Sequence, residues 1–141
     1  MDIEGIDIYP YFSNSCYCGF GEDEDGFYAV YRHVFEKLEG EDKEFSAYNA
    51  EINYPTFGHS SSEEAEWQQF YAFFMVYATP RTYSWLDKYD IRQAENRRVS
   101  RLMEKENKKV RDGARKERNE LVRNLAKFIR KRDKRVLNFN R

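Results

Sequence analysis

Arg97, Arg101, Lys105 and Lys109 stand four residues apart. On a helix that spacing stacks side chains along one face, so the four would make a continuous cationic row. Gly113 is the next position on it, and Arg123, Lys127, Lys131 and Arg135 repeat the spacing further on. Like charges at i, i+4 repel by about 0.2–0.5 kcal/mol per pair. A helix shaped for solubility alone would alternate signs there, as Glu104–Lys108 and Asp112–Lys116 do on the neighbouring row. The chemistry open to such rows is electrostatic: they can seat the phosphates of a polyanion and release its counterions. The competing reading is a solvated basic face, or one that pairs with an acidic part of the same chain. Gly113 costs about 1 kcal/mol inside a helix. A backbone that must approach a partner closely accounts for it; so does chance.

Other reactive residues are sparse. Cys16 and Cys18 form a C-x-C, which would be half of a metal site if His33 or His59 completed it. Zinc sites usually show C-x₂₋₄-C with a second spaced pair, and no second pair exists here. Two ordinary thiols are the expectation, and no cofactor or metal is expected. The chain has no G-x-x-x-x-G-K-[ST], G-x-S-x-G or H-E-x-x-H, so an enzyme is not expected. A Cys–His pair stays open on sequence alone.

The form of nucleic acid can be narrowed. A basic zipper needs apolar heptads after its basic region, and only about two turns of Leu, Val and Phe follow. Single-strand binding wants aromatics interleaved with the cations, and residues 96–127 have none. Backbone contacts on structured RNA, read by shape and charge, fit best.

These residues need a long helix beneath them. From about 94 to 136, Val99, Met103, Val110, Ala114, Leu121, Leu125 and Phe128 fall within one arc of a helical wheel. The phase holds across Gly113, which predicts one helix of roughly 60 Å. That is longer than the diameter of a domain this small, so part of it should project. Earlier, Phe27, Val30, Tyr31, Val34, Phe35 and Leu38 predict an amphipathic helix, with Asp25 as its cap and Gly40 as its end. Ser60 and Ser61 each stand three residues before a glutamate, which predicts a capping box. The helix after it carries Trp67, Phe70, Tyr71, Phe74 and Ala78 on one face and stops at Pro80. Residues 82–93 read as a short helix packing Trp85 and Tyr89 onto the same core. Residues 6–20 read as a short helix or turn, and 41–62 mostly as loop. No strand pattern and no internal repeat are seen.

The bulk numbers agree with a split molecule. The 141 residues carry a formal net charge of −1. Residues 1–90 hold five Lys/Arg against eighteen Asp/Glu, and residues 91–141 hold nineteen against seven. This predicts an acidic globular part and a basic interaction part. Aromatics make up 17% of the chain and cluster before residue 90, which places the core there. No apolar run approaches the ~18 residues of a membrane span. The acidic start argues against a targeting signal, so the expected compartment is the cytoplasm, with nucleus or nucleolus as the alternative.

Several segments follow one another in a familiar order: "PYFSNSCYCGFGEDEDGFYAVYRHVFEKL", "YPTFG", "FYAFF", "YSWLDKYDIRQAENRR" and "MEKENKKVRDGARKERNELVRNLAKFIRKRDKRV". Together they resemble the zuotin-homology region of J-domain cochaperones, and most closely the branch that acts on cytoplasmic precursors of the large ribosomal subunit. The Asn96-Arg97 start, Asn107 and "NKKVRDGARKE" are fairly specific to it. The resemblance implies a helical region docked near the polypeptide tunnel exit, touching ribosomal RNA and nearby ribosomal proteins. The basic pair matching Arg97 and Arg101 is where the family motif puts ribosome contacts. It further implies that the full protein stimulates a heat-shock protein 70 class ATPase to release a shuttling export factor. The family's His-Pro-Asp signature and C-terminal zinc fingers do not occur here, so stimulation is expected to need a J-domain this chain lacks. Phe74 stands where the family usually has Trp.

The expected fold class is all-α: a small aromatic-rich helical domain followed by one long basic amphipathic helix. The expected division is an acidic core at 1–93, the basic helix at 94–136 packed on it and projecting from it, and a tail at 137–141. The candidate RNA- and ribosome-binding residues are Arg97, Arg98, Arg101, Lys105, Lys108, Lys109, Arg111, Arg115, Lys116, Arg123, Lys127 and Lys131. Expected partners are the large subunit or its precursor and, through the missing J-domain, the heat-shock protein 70 class ATPase. No membrane partner is expected. The alternative is a spacer helix or protein-interaction domain with no RNA contact.

Overall fold

The structure, a computed structural model, describes residues 5–45 and 52–140. Residues 1–4 and 46–51 and residue 141, read from sequence as acidic start, loop and tail, lie outside the described residues. The fold is all-α: among the described residues there are helices and no strands. Four α-helices run α1 Phe27–Phe45, α2 Glu64–Phe74, α3 Arg97–Arg130 and α4 Lys134–Phe139. Short 3-10 turns stand at Tyr9–Tyr11, Asn14–Cys16, Ser84–Leu86 and Ile91–Gln93.

The core is a cluster of rings. Helix α1 buries Phe27, Tyr28, Tyr31, Val34, Phe35 and Leu38, while Val30 is half-buried. Helix α2 buries Trp67, Phe70, Tyr71 and Phe74. Phe35 meets Phe70 and Phe74 edge-on at 4.8 and 4.7 Å between centroids. Phe57, from the connecting loop, packs against Phe70 at 4.8 Å and stacks on Tyr28 at 5.8 Å. Only the C-terminal part of α3 enters this cluster, through Val122, Leu125, Ala126 and Ile129.

Several local expectations are corrected. The first helical bond of α1 runs from Val30 N–H to Gly26 C=O, so the cap position is Gly26 and not Asp25. A Cβ at Gly26 would meet the Gly21 carbonyl oxygen at 2.9 Å, which suits glycine. Gly40 does not end α1. The helix runs on to Phe45 because Asp42, one turn beyond Leu38, is buried and accepts hydroxyl hydrogen bonds from Tyr54 (2.7 Å) and Tyr77 (2.5 Å). Burial pushes the Asp42 carboxyl up, against the pull of these two hydrogen bonds. Neither Ser60 nor Ser61 caps α2. The position falls on Glu63 without a side-chain bond, while Ser62 Oγ accepts from His59 N–H. Helix α2 ends at Phe74, before Pro80, and leaves Ala78 exposed.

Residues 82–93 form two 3-10 turns rather than one helix, with Tyr83 in left-handed backbone at φ 58°. Trp85 and Tyr89 stay largely exposed and outside the aromatic core. Trp85 packs on Tyr83 and Phe45 instead.

The long helix is shorter than its pattern. Helix α3 stops at Arg130, Arg132 and Asp133 both donate to the Ile129 carbonyl, and the Asp133 side chain caps α4 through Arg135 N–H. Asp133 is fully buried. It accepts from Tyr28 (3.0 Å) and Tyr71 (2.7 Å) and pairs with the buried Arg135 (2.8 Å). The Tyr71 hydroxyl is held far above its ordinary pKa, first by burial and then by the Asp133 charge. The chain breaks its helix to deliver this carboxylate.

Candidate nucleic-acid interface

Helix α3 begins where the basic run begins. Asn96 is extended, and its Oδ1 accepts from Val99 N–H at 2.9 Å. Asn is among the best N-cap residues because this bond satisfies an orphan donor. The next five residues include Arg97, Arg98 and Arg101, all exposed, and no acid lies in the first turn. Cations at a helix N-terminus oppose the macrodipole, at roughly 0.3–1 kcal/mol each. A stability-optimised helix would place acids there. An anion held by these arginines would meet the positive end of the helix as well as their charges.

Between residues 107 and 119 one face of the helix is tied to the 79–93 segment, and Asn107 is the clamp. It is almost fully buried on a charged helix. Its Oδ1 accepts from Lys88 N–H (2.9 Å) and Tyr89 N–H (3.1 Å), and its Nδ2 donates to Tyr89 O (2.8 Å). One side chain thereby satisfies three backbone groups. Asn107→Ala is expected to lower the unfolding free energy by about 1–3 kcal/mol. It should also speed hydrogen exchange at the Lys88 and Tyr89 amides; protection unchanged at both would contradict the clamp.

Three of the twelve candidate cations serve internal packing. Arg111 pairs with Glu104 and, at 3.4 Å, with Asp87. Its pKa is raised, chiefly by the Glu104 hydrogen bond. Arg115 pairs with Asp112 and donates to the Thr82 carbonyl at 3.0 Å. Arg123 donates to the carbonyls of Tyr77 (2.7 Å) and Val76 (3.5 Å), just past the end of α2. A cation there satisfies carbonyls of the turn that leaves α2. Nothing in the sequence spacing separates these three from the rest; the partners that tie them to other elements lie 24 to 47 residues away.

Eight candidates present their cations to solvent: Arg97, Arg98, Arg101, Lys105, Lys109, Lys116, Lys127 and Lys131. Lys108 is exposed but pairs with Asp112 at 2.9 Å. The row from Arg97 to Lys109 is intact, one charge every ~6 Å. The second row is not. Arg123 is spent on α2, and Arg135 is buried on Asp133, with its Nη1 donating to the Phe57 and His59 carbonyls. Only Lys127 and Lys131 remain exposed from it.

Gly113 continues α3 with no break. A Cβ there would meet nothing within 4 Å, so no contact inside the molecule requires glycine. Gly113→Ala is expected to stabilise the domain by about 0.5–1 kcal/mol, read as a melting temperature higher by a few degrees. A lower melting temperature would mean that α3 needs the glycine internally.

The cysteines and histidines do not converge. Cys16 turns inward, with its Sγ 3.2 Å from the Tyr31 hydroxyl, and Cys18 is exposed. His59 Nδ1 lies 3.0 Å from Ser61 Oγ, and His33 is exposed. Among the described residues there is no group of three or more His, Cys, Asp or Glu that could hold a metal ion. No helix of the described residues is long and apolar enough to cross a membrane.

Comparison with known proteins adds the family. Residues 26–137 match the family model described as Zuotin-like, zuotin homology domain. The chain is 50% identical over 134 residues to DnaJ homolog subfamily C member 21 of Homo sapiens, covering 94% of this chain and 25% of that protein. The Danio rerio protein of the same name is 50% identical over 136 residues, with the same coverage. J protein JJJ1 of Saccharomyces cerevisiae is 35% identical over 83 residues, 59% of this chain and 14% of that protein. The chain thus spans about a quarter of the curated DnaJ relatives it matches. No solved structure gives a significant match. With the family model covering α1 to α4 almost from end to end, the chain belongs to the zuotin homology domain family.

Proposed function

We propose that this chain is the ribosome-docking module of a J-domain cochaperone, and that the exposed face of α3 lies against ribosomal RNA of the large subunit. The observation that carries this reading is the intact row Arg97, Arg101, Lys105 and Lys109, which begins on a helix N-terminus where cations lower stability. Arg98, Lys116, Lys127 and Lys131 extend the same positive surface. The J-protein names of the relatives support the cochaperone context. In that context the whole protein regulates a heat-shock protein 70 class ATPase rather than catalysing a reaction itself. It does so late in cytoplasmic maturation of the large subunit, where a shuttling export factor is released. The working location is the cytoplasm, with passage through the nucleus or nucleolus.

Salt dependence tests the contact. Co-sedimentation of the chain with purified large subunits should fall steeply between about 50 and 200 mM salt, because each phosphate contact releases counterions. A second reading has its own support: Arg111, Arg115 and Arg123 are committed to internal packing, as in a helix that spaces and braces other elements. Association that ignores salt and follows a protein partner would favour that spacer.

A further inference from the structure

Ser100 is the only serine or threonine on the 34 residues of α3. It follows directly on Arg97, Arg98 and Val99 and precedes Arg101. It is half-buried, and its hydroxyl has no hydrogen-bond partner among the described residues. The turn that holds it is lightly tied: the Asn96 cap bond to Val99 N–H and the Ser100 N–H bond to Asn96 O close it. Residues 95–98 are exposed. Helix ends of this kind open locally at small cost, which would give an enzyme the extended segment it needs.

We propose that Ser100 is a phosphorylation site for a kinase that reads arginines two and three residues before its target serine, and that phosphate there turns down the RNA contact of α3. The switch half rests on the function proposed above; the site half does not. In the transfer, Ser100 Oγ attacks the γ-phosphorus of kinase-bound ATP. The bond to the β–γ bridging oxygen breaks, ADP leaves, and the hydroxyl proton passes to the kinase's base.

The location decides the consequence. Phosphate carries about −1.5 to −2 charges at neutral pH and is favoured at a helix N-terminus. Arg97, three residues back, lies within reach on the helix surface. Glu104, four residues on, repels it, but Glu104 is already paired with Arg111. The fold should therefore tolerate the modification. The basic face should not. Arg97, Arg98 and Arg101 give the helix start three positive charges, and the phosphate cancels all but about one of them. An internal phosphate would also occupy the arginines that an RNA phosphate needs.

The test treats the purified chain with ATP and the cyclic-AMP-dependent protein kinase catalytic subunit, with Ser100→Ala as control. Sites are mapped by mass spectrometry, helix content is followed by circular dichroism, and binding to purified large subunits is measured at about 0.1 M salt. The expected result is one phosphate at Ser100, absent from the control, with helix content unchanged. Binding should be about tenfold weaker with a shallower salt dependence. No phosphate at Ser100 overturns the site. Phosphate at Ser100 with undiminished binding overturns the switch. Failure of the unmodified chain to bind overturns the RNA reading of α3 and the switch with it, while the phosphate map still decides the site.

Discussion

Replacing Arg97 and Arg101 together with glutamate is expected to weaken co-sedimentation with large ribosomal subunits by at least about a hundredfold and to leave the fold intact. The two side chains are exposed. Reversing both changes the charge of the row by four units at its most concentrated point. Each lost phosphate contact removes part of the counterion release, and each new carboxylate repels the phosphate it faces. The stability side of the same experiment is equally informative. Acids near a helix N-terminus gain about 0.3–1 kcal/mol where cations lose it. The double variant should therefore melt at the same temperature as the parent or slightly higher. Binding lost while stability holds or rises is the signature of residues kept for a partner. Unchanged binding would remove these two arginines from the interface. The contrast is Arg123→Glu. That guanidinium holds the Val76 and Tyr77 carbonyls, so its loss should register first as a lower melting temperature.

The second large effect belongs to the fold. Asp133→Ala is expected to cost about 3–5 kcal/mol, because it leaves the buried Arg135 guanidinium without its partner. It also strands the Tyr28 and Tyr71 hydroxyls and removes the α4 cap. Urea unfolding would measure it. Tyr71→Phe removes a single hydrogen bond to the same carboxylate and should cost only about 0.5–3 kcal/mol. A loss for Asp133→Ala no larger than that for Tyr71→Phe would contradict the shared hub. Arg135 itself packs its guanidinium over the rings of Phe57 and Tyr28, at 4.5 and 4.7 Å from their centroids. Losing the ion pair therefore disturbs the centre of the aromatic core as well as the last turn of the chain.

Much of the architecture was legible before any coordinates. The 3.6-residue period exposed the inner faces of α1 and α2 and the helical run of α3, because helix faces are written locally in the chain; of the stripe expected on α3 only Leu125 is fully buried, and Val122, Ala126 and Ile129 fill the core beside it. The start of α3 was visible as well: Asn96 is a capping residue directly ahead of the basic run. Charge asymmetry, the absence of catalytic motifs and the four-residue spacing of Arg97, Arg101, Lys105 and Lys109 needed nothing beyond residue type and order.

What the chain order hid was which polar groups find partners across the fold. Gly40 reads as a stop, yet α1 continues because Asp42 is wanted by Tyr54 and Tyr77. The phase running on through Arg135 reads as one helix to residue 136, yet α3 ends at Arg130 because two tyrosines and an arginine converge on Asp133. Twelve cations look alike in sequence, but the fold commits Arg111, Arg115 and Arg123 to a salt bridge or backbone carbonyls and leaves others in water. Periodicity and composition are properties of neighbours along the chain, so the sequence by itself determined the helices, the split charge and the basic row. Partners 24 to 105 residues apart are set by packing alone, so only the tertiary structure decided where the long helix stops and which of its cations remain available.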